Sequence, residues 1–133
     1  MKNGLQRFLR AAVVAVALLV FSLAAGPATA WAGPVNWQEV PESPAGRQWW
    51  DTGSLRLSRG GELSVLTRFQ PASEDQGQLY VMELDCDQGL YRDTSVNGLP
   101  RFKAEWQPTG GDSLISDVLD QACTAGTELL ASR

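Results

Sequence analysis

The chain has 133 residues, of which fifteen are acidic, eleven are basic and none is histidine, so its formal charge is −4. Without histidine, the chain has no imidazole proton shuttle, no histidine-based catalytic triad and no usual transition-metal cluster. A net negative chain also lacks the basic footprint that nucleic acids and anionic membrane surfaces require.

Residues 1–32 have the pattern of a secretory signal peptide. A short basic segment precedes an apolar run from Ala11 to Ala25, and the small-x-small site Ala30-Trp31-Ala32 follows. The run is shorter than the roughly 20 apolar residues that span a bilayer. We therefore expect cleavage after Ala32 and export to the periplasm, to the lumen of an internal membrane system or out of the cell, with no membrane insertion afterwards. An uncleaved N-terminal anchor is the alternative.

The mature chain expected after cleavage, residues 33–133, would form one small domain. It would keep eight basic and fifteen acidic residues, a formal charge of −7. About a hundred residues suffice for a single modest core. The loose stretches are 41–47, 71–78 and a short flexible tail after Cys123.

The stretch "SLRLSRGGELSVLTRF" predicts a β-hairpin with a definite register. Pairing Leu57 with Leu63 and Leu55 with Val65 places the aliphatic side chains on one face. This register leaves a three-residue loop, 59–61, which needs a glycine in the left-handed conformation. A two-residue turn would oppose Leu57 to a polar residue and is less favoured.

Further strands follow the hairpin. "QLYVMELDC" alternates between apolar and acidic residues, "LYRDTSV" comes next, and Asn97-Gly98 is a tight-turn signal. We expect "RFKAEW" to form a strand with Phe102, Ala104 and Trp106 on one face, and 35–40 to form a short edge strand. These segments predict an antiparallel meander of about five to six strands.

One helix is predicted in the mature chain, over "DSLISDVLDQAC". Asp112 or Ser113 can cap it, apolar residues recur at helical spacing, and Gly126 is a plausible stop. The predicted fold class is therefore α+β, an antiparallel meander packed against one C-terminal helix.

Both cysteines lie on surfaces that are predicted to be buried, Cys86 on a strand and Cys123 on the helix. In an exported chain, a disulfide between them is the expected state. It would stabilise the domain by roughly 3 to 4 kcal/mol on the chain-entropy model. A redox-active pair and an intermolecular bond are the alternatives; the pair lacks Cys-x-x-Cys spacing.

Glu83, Asp85 and Asp87 form a predicted acidic face beside Cys86. The start of this stretch is similar to a calcium-binding loop, but the later ligand positions do not match. We expect a solvated strand face with Glu83 or Asp85 near Arg92, weak calcium binding being the alternative. No cofactor or metal is expected.

Trp49 and Trp50 are adjacent, so in a strand their side chains must point to opposite faces. We expect one of them in the core. The other is covered by the N-terminal segment with Trp37, or it forms an exposed binding patch beside Arg56.

An ordered set of short motifs resembles the bacterial surface-adhesin protein E family. The set comprises Trp37, "WDTGSL", "ELDC", the Asn-Gly turn, Trp106 and a terminal helix ending in "QAC". The resemblance implies an antiparallel sheet joined to a C-terminal helix by a disulfide between Cys86 and Cys123. The family's named member is a lipid-anchored surface protein that binds host matrix proteins, but the lipid-attachment cysteine is absent here, so no binding residues are transferred.

These patterns favour a non-catalytic exported domain that binds another protein. It would act as an adhesin or as an accessory factor of an envelope or membrane complex. A structural or small-ligand-sequestering domain is the second possibility and an enzyme the third, since the chain has no nucleophile motif or nucleotide fingerprint.

Overall fold

The computed structural model describes residues 34–133, together with residues 4, 6, 7, 9, 10, 12 and 13, which are helical. The chain divides into two compact units, Met1–Ala32 and Gly33–Arg133. The expected cleavage site after Ala32 lies outside the described residues. Among those residues, no helix is long and apolar enough to cross a membrane.

The second unit contains one antiparallel sheet of eight strands. Six of them follow the order β1-β2-β4-β5-β6-β7, while β3 pairs with β4 and β8 pairs with β6. The predicted meander is confirmed. The sheet has more strands than the five to six expected, because several very short strands add to the count. The strands are β1 Trp37–Glu39, β2 Gly46–Asp51, β3 Arg56–Leu57, β4 Leu63–Pro71, β5 Gln78–Asp85, β6 Leu90–Val96, β7 Leu99–Pro100 and β8 Gln107–Pro108.

The register of the first predicted hairpin is confirmed. Leu57 pairs with Leu63, and the amide of Ser58 donates to the carbonyl of Glu62 at 2.7 Å. The three-residue loop between them places Gly61 at φ +91°, a conformation that glycine adopts without steric cost. The second tight turn, Asn97-Gly98, also forms where expected, between β6 and β7.

The predicted strand "RFKAEW" is wrong. β7 ends at Pro100, which has no N–H to continue a ladder, and the chain then turns with Lys103 at φ +60°. Phe102 is 88% exposed instead of lying on a core face. The chain rejoins β6 only at β8, so residues 101–106 form a loop between two two-residue strands.

Two helices follow the sheet, α1 Ser113–Ala125 and α2 Thr127–Ala131. The predicted cap is confirmed, since the Asp112 carboxylate accepts hydrogen bonds from the amides of Leu114 and Ile115 at 3.0 and 3.2 Å. The expectation of a loose tail after Cys123 is wrong. α1 continues to Ala125, and α2 places leucines against the core, which a flexible tail would leave in water.

The core lies between α1 and one face of the sheet. Its buried strand residues include Trp50, Leu63, Val65, Met82 and Leu84, and α1 contributes Leu114, Val118, Leu119 and Ala122. The predicted intrachain disulfide is confirmed: Cys86, just after β5, is bonded to Cys123 on α1, with 5.8 Å between their Cα atoms. It covalently joins the sheet to the helix that covers it.

Candidate functional site

The two adjacent tryptophans lie on opposite faces of β2. Trp50 is 2% exposed and belongs to the core, and its indole Nε1 donates to Oε1 of Gln121 on α1 at 3.0 Å. Trp50 is therefore structural, although the sequence named it with Trp49 as a candidate for binding. Trp49 points to the opposite side of the sheet, which we call the outer face.

Trp49 is half-buried between two arginines on the outer face. Arg68 is its direct partner on β4, and Arg47 precedes it by two residues on the same strand, so all three side chains share a face. The guanidinium carbons of Arg47 and Arg68 lie 4.8 and 5.2 Å from centroids of the Trp49 rings. Both distances are within the range of cation–π attraction, worth about 0.5 to 1 kcal/mol each at exposed sites.

Arg47 is also fixed by an ion pair to β1. Its Nε and Nη2 donate to the two carboxylate oxygens of Glu39 at 2.6 and 2.8 Å. This hydrogen bonding lowers the pKa of the Glu39 carboxyl and raises the pKa of Arg47. Two donors to two acceptors hold the guanidinium plane in place, so Arg47 is oriented toward the indole before any partner arrives.

The N-terminal strand extends the sheet beside Trp49. Glu39 is the direct partner of Trp49 in β1, and Trp37 pairs with Asp51 on the same face. On the other side of Trp49, Arg68 pairs with Leu79 of β5, whose side chain is 43% exposed. The Trp49 patch, by which we mean Arg47, Trp49, Arg68 and Leu79, is therefore bordered by neighbouring strands and open to solvent above.

The expectation that the exposed tryptophan lies beside Arg56 is wrong. Arg56 pairs with Ser64 of β4, whereas Trp49 pairs with Arg68, four residues further along the same strand. Four residues of strand separate the two positions by about 13 Å. The sequence did not reveal this distance because β2 and β3 both pair with β4, at different points along it.

Arg56 instead shares a shallow cavity of about 390 Å³ with Glu83 and Arg92. Arg92 forms an ion pair with Glu83 at 2.6 Å, and its guanidinium carbon lies 4.4 Å from the centroid of a Trp106 ring. The outer face thus has a second arginine–tryptophan contact at its far end. Arg47, Arg68 and Arg92 each lie against an indole, whereas Arg56 is exposed and has no such contact within residues 34–133.

The charge of the domain is divided between its two sides. Register and alternation place Arg47, Arg56, Arg68 and Arg92 on the outer face, half of the eight basic residues in 34–133. On the other side, α1 and its cap carry Asp112, Asp117 and Asp120 and no basic residue. The same register also places Glu39, Asp51, Glu83 and Asp85 on the outer face, so its charges balance, whereas the helix side is net acidic. Glu39 and Glu83 are paired with Arg47 and Arg92, but Arg68 forms no ion pair within residues 34–133.

The three acidic residues considered as a weak binding face serve separate structural contacts. Glu83 pairs with Arg92, as expected, and the Asp85 carboxylate accepts from the amides of the following turn. Asp87 lies in that turn and pairs with Arg133 at 2.7 Å. Within the described part of the chain, no three His, Cys, Asp or Glu side chains converge into a group that could hold a metal ion.

Sequence reasoning missed Arg47 and Arg68, the two residues that frame Trp49. Arg47 precedes Trp49 by two residues, so alternation alone could have placed it on the same face. Arg68 could not be found in this way, because its pairing with Trp49 depends on the long connection between β2 and β4.

Comparison with known families gives a match over most of the second unit. The model of the Surface adhesin-E family matches residues 38–129, which include every strand pairing described above except that of Trp37. The chain belongs to the Surface adhesin-E family. Searches of curated proteins and of solved structures find no match. Membership supports an adhesin-like surface protein rather than an enzyme, and together with the disulfide it indicates an exported protein.

Proposed function

We propose that this adhesin-E protein loses residues 1–32 on export and acts as a non-catalytic domain that binds another protein. The basic start, apolar run and small-residue site of the N-terminal segment support removal. The disulfide supports an oxidising destination, the periplasm, a lumen or the exterior. Intact mass of the exported protein tests removal: we expect a chain beginning at Gly33, and a detergent-extracted species that retains residues 1–32 would contradict it.

The binding surface that we propose is the Trp49 patch. The observation that carries this proposal is an indole on the open face of the sheet, held between two guanidinium groups. Tryptophan and arginine are the residue types most enriched among interface anchors, because each buries a large area on binding at small entropic cost when it is already held.

The chemistry of the patch supports a partner with acidic and apolar groups. Arg68 has no ion pair within 34–133, so its positive charge is available to a carboxylate on a second protein. Leu79 adds exposed apolar area at the edge. We infer an acidic protein surface with an apolar centre, either on a component of a membrane complex or on a matrix protein outside the cell.

Affinity capture with matched variants tests the patch. The exported protein should retain a stoichiometric partner from the native envelope fraction or bind purified matrix proteins, and Trp49→Ala should weaken that binding by on the order of 2 kcal/mol, about thirtyfold. Arg68→Gln should weaken it too, more strongly at low salt. Trp106→Ala is the matched control, since it removes another arginine-contacting indole outside the patch.

The results of affinity capture distinguish an error in the proposed function from an error in the proposed binding surface. If no protein is captured by the wild type, the protein-binding function is wrong. If a partner is captured equally by wild type, Trp49→Ala and Trp106→Ala, binding occurs elsewhere and the Trp49 patch is wrong. A membrane-complex partner would identify an accessory factor, and a matrix protein would identify an adhesin.

A further inference from the structure

A second candidate site lies on the opposite side of the sheet, at the N-terminal end of α1. Here a cavity of about 200 Å³ opens between the strands and the first turn of the helix. One part of its wall is apolar, formed by Phe69, Met82 and Ile115. The other part is polar and includes Gln48 and Asp93.

Asp93 is placed in this cavity by the register of β6. It pairs with Met82 of β5, whose side chain is in the core, so the carboxylate points to the helix side of the sheet. Its Oδ1 is fully buried and has no hydrogen-bond partner, and no salt bridge to Asp93 forms within residues 34–133. Burial raises the pKa of this carboxyl, against the lowering effect of Arg101.

An unpaired buried carboxylate oxygen is costly, because the lost hydration is not replaced. A native structure that keeps one needs a reason. The pattern of the sheet supplies none, since a hydrophobic residue opposite Met82 would extend the core.

Gln48 provides a second polar side chain in the wall of the same cavity. Gln48 is only 4% exposed, and its side-chain amide makes no hydrogen bond with any residue of 34–133. The Tyr80 hydroxyl donates to Gln78, and Oδ1 of Asp112 is used by the cap of α1. The cavity therefore offers a ligand the Asp93 carboxylate, the Gln48 carboxamide and the second oxygen of Asp112.

We propose that this cavity binds a small organic cation, whose ammonium group is held by Asp93 and Gln48 and whose apolar part lies against Phe69, Met82 and Ile115. An ammonium group has three donors and a positive charge, which match the oxygen acceptors of the wall and a half-buried carboxylate. The volume suits such a ligand, since a 150 Å³ protein cavity accommodates benzene.

Benzylammonium is the probe, and benzyl alcohol is its neutral counterpart of the same size. Titration into the purified exported protein, followed by NMR, should show saturable shifts of the Met82 methyl and Ile115 signals with benzylammonium. We expect benzyl alcohol to bind at least tenfold more weakly. No saturable shift, or equal binding of both compounds, overturns the proposal without any variant.

Two substitutions then test whether Asp93 supplies the negative charge that holds the ligand. Asp93→Asn keeps the shape of the side chain and should weaken benzylammonium binding at least tenfold, whereas Asp120→Asn removes an exposed helix carboxylate and should leave it unchanged. If the two variants bind alike, Asp93 is not the anion that holds the ligand. Because the Trp49 patch is on the opposite face, Trp49→Ala should bind the probe normally, so this site and the proposed protein-binding surface can fail independently.

Discussion

Replacing Trp50 by alanine removes the largest side chain of the core, which is 2% exposed. A buried tryptophan covers about 150 to 250 Å², and at about 25 cal/mol per Å² its transfer contributes about 4 to 6 kcal/mol. Measured Phe and Trp to Ala substitutions cost about 3 to 5 kcal/mol. Gln121 would lose the indole donor but keep Gln38 as a partner at 2.9 Å, so it adds little to the loss.

We therefore expect Trp50→Ala to lower the free energy of unfolding by about 4 kcal/mol. For a domain of about a hundred residues, each kcal/mol shifts the melting temperature by about 4 to 8 °C, so the midpoint should fall by at least about 15 °C. Urea unfolding followed by far-ultraviolet circular dichroism measures the free energy, and a thermal melt measures the midpoint.

Trp49→Ala makes the same chemical change on the outer face and is the matched control. It loses two cation–π contacts, about 1 to 2 kcal/mol in total, and removes no core volume. Equal losses of stability in Trp49→Ala and Trp50→Ala would refute the reasoning. Both rings would then be structural, and the binding surface would have to be sought elsewhere.

Three further outcomes follow from particular contacts. Cys123→Ser opens the loop between cysteines 37 residues apart and should lower the free energy of unfolding by about 3 to 4 kcal/mol in urea titrations; two free thiols in freshly exported wild type would contradict this. Because burial raises the pKa of Asp93 above its ordinary 3.8, the proton stabilises the folded state at low pH and this contribution is lost as pH rises through the raised value. Asp93→Asn should therefore raise the melting temperature relative to wild type more near neutral pH than at a pH below the ordinary pKa of aspartate. An equal rise at both pH values would be evidence against burial of the carboxylate. Gly46→Ala drives a Cβ atom into the backbone carbonyl of Gln70 and should destabilise the protein in urea at least twice as much as Gly89→Ala, where a left-handed alanine in open space costs about 1 to 2 kcal/mol. Similar losses in the two variants would show that the strands separate easily.

Local rules were sufficient wherever neighbouring residues determine the structure. The opposition of Leu57 and Leu63 follows from a short loop and a shared apolar face, and the start of α1 follows from the Asp112 cap. The Cys86–Cys123 bond could be predicted because each cysteine lay on a face whose burial was readable from its own element.

Long-range pairing was not readable in the same way. The choice between Trp49 and Trp50 depends on which face α1 covers, and the Trp49–Arg68 contact depends on a pairing across nineteen positions of sequence. The strand predicted over residues 101–106 was wrong for a different reason. Pro100 immediately precedes it in the sequence, and a proline at that point argues against a continuous strand. The inward direction of Asp93 could have been read from alternation, since it follows Tyr91 by two residues in the regular part of the β5–β6 pairing, but an acidic residue is not expected on a core face.

The ends of the sheet limit how a partner can attach. One edge consists of the three-residue β1 and, further along β4, the two-residue β3. The other consists of the two-residue β7 and β8, which are separated by a loop and each contain a proline. Such edges present too few consecutive backbone donors and acceptors to template an added strand, which is how many sheet proteins capture peptides or polymerise. The domain is thus poorly suited to donor-strand exchange and to edge-to-edge fibre growth, which agrees with the proposed recognition through side chains on the outer face.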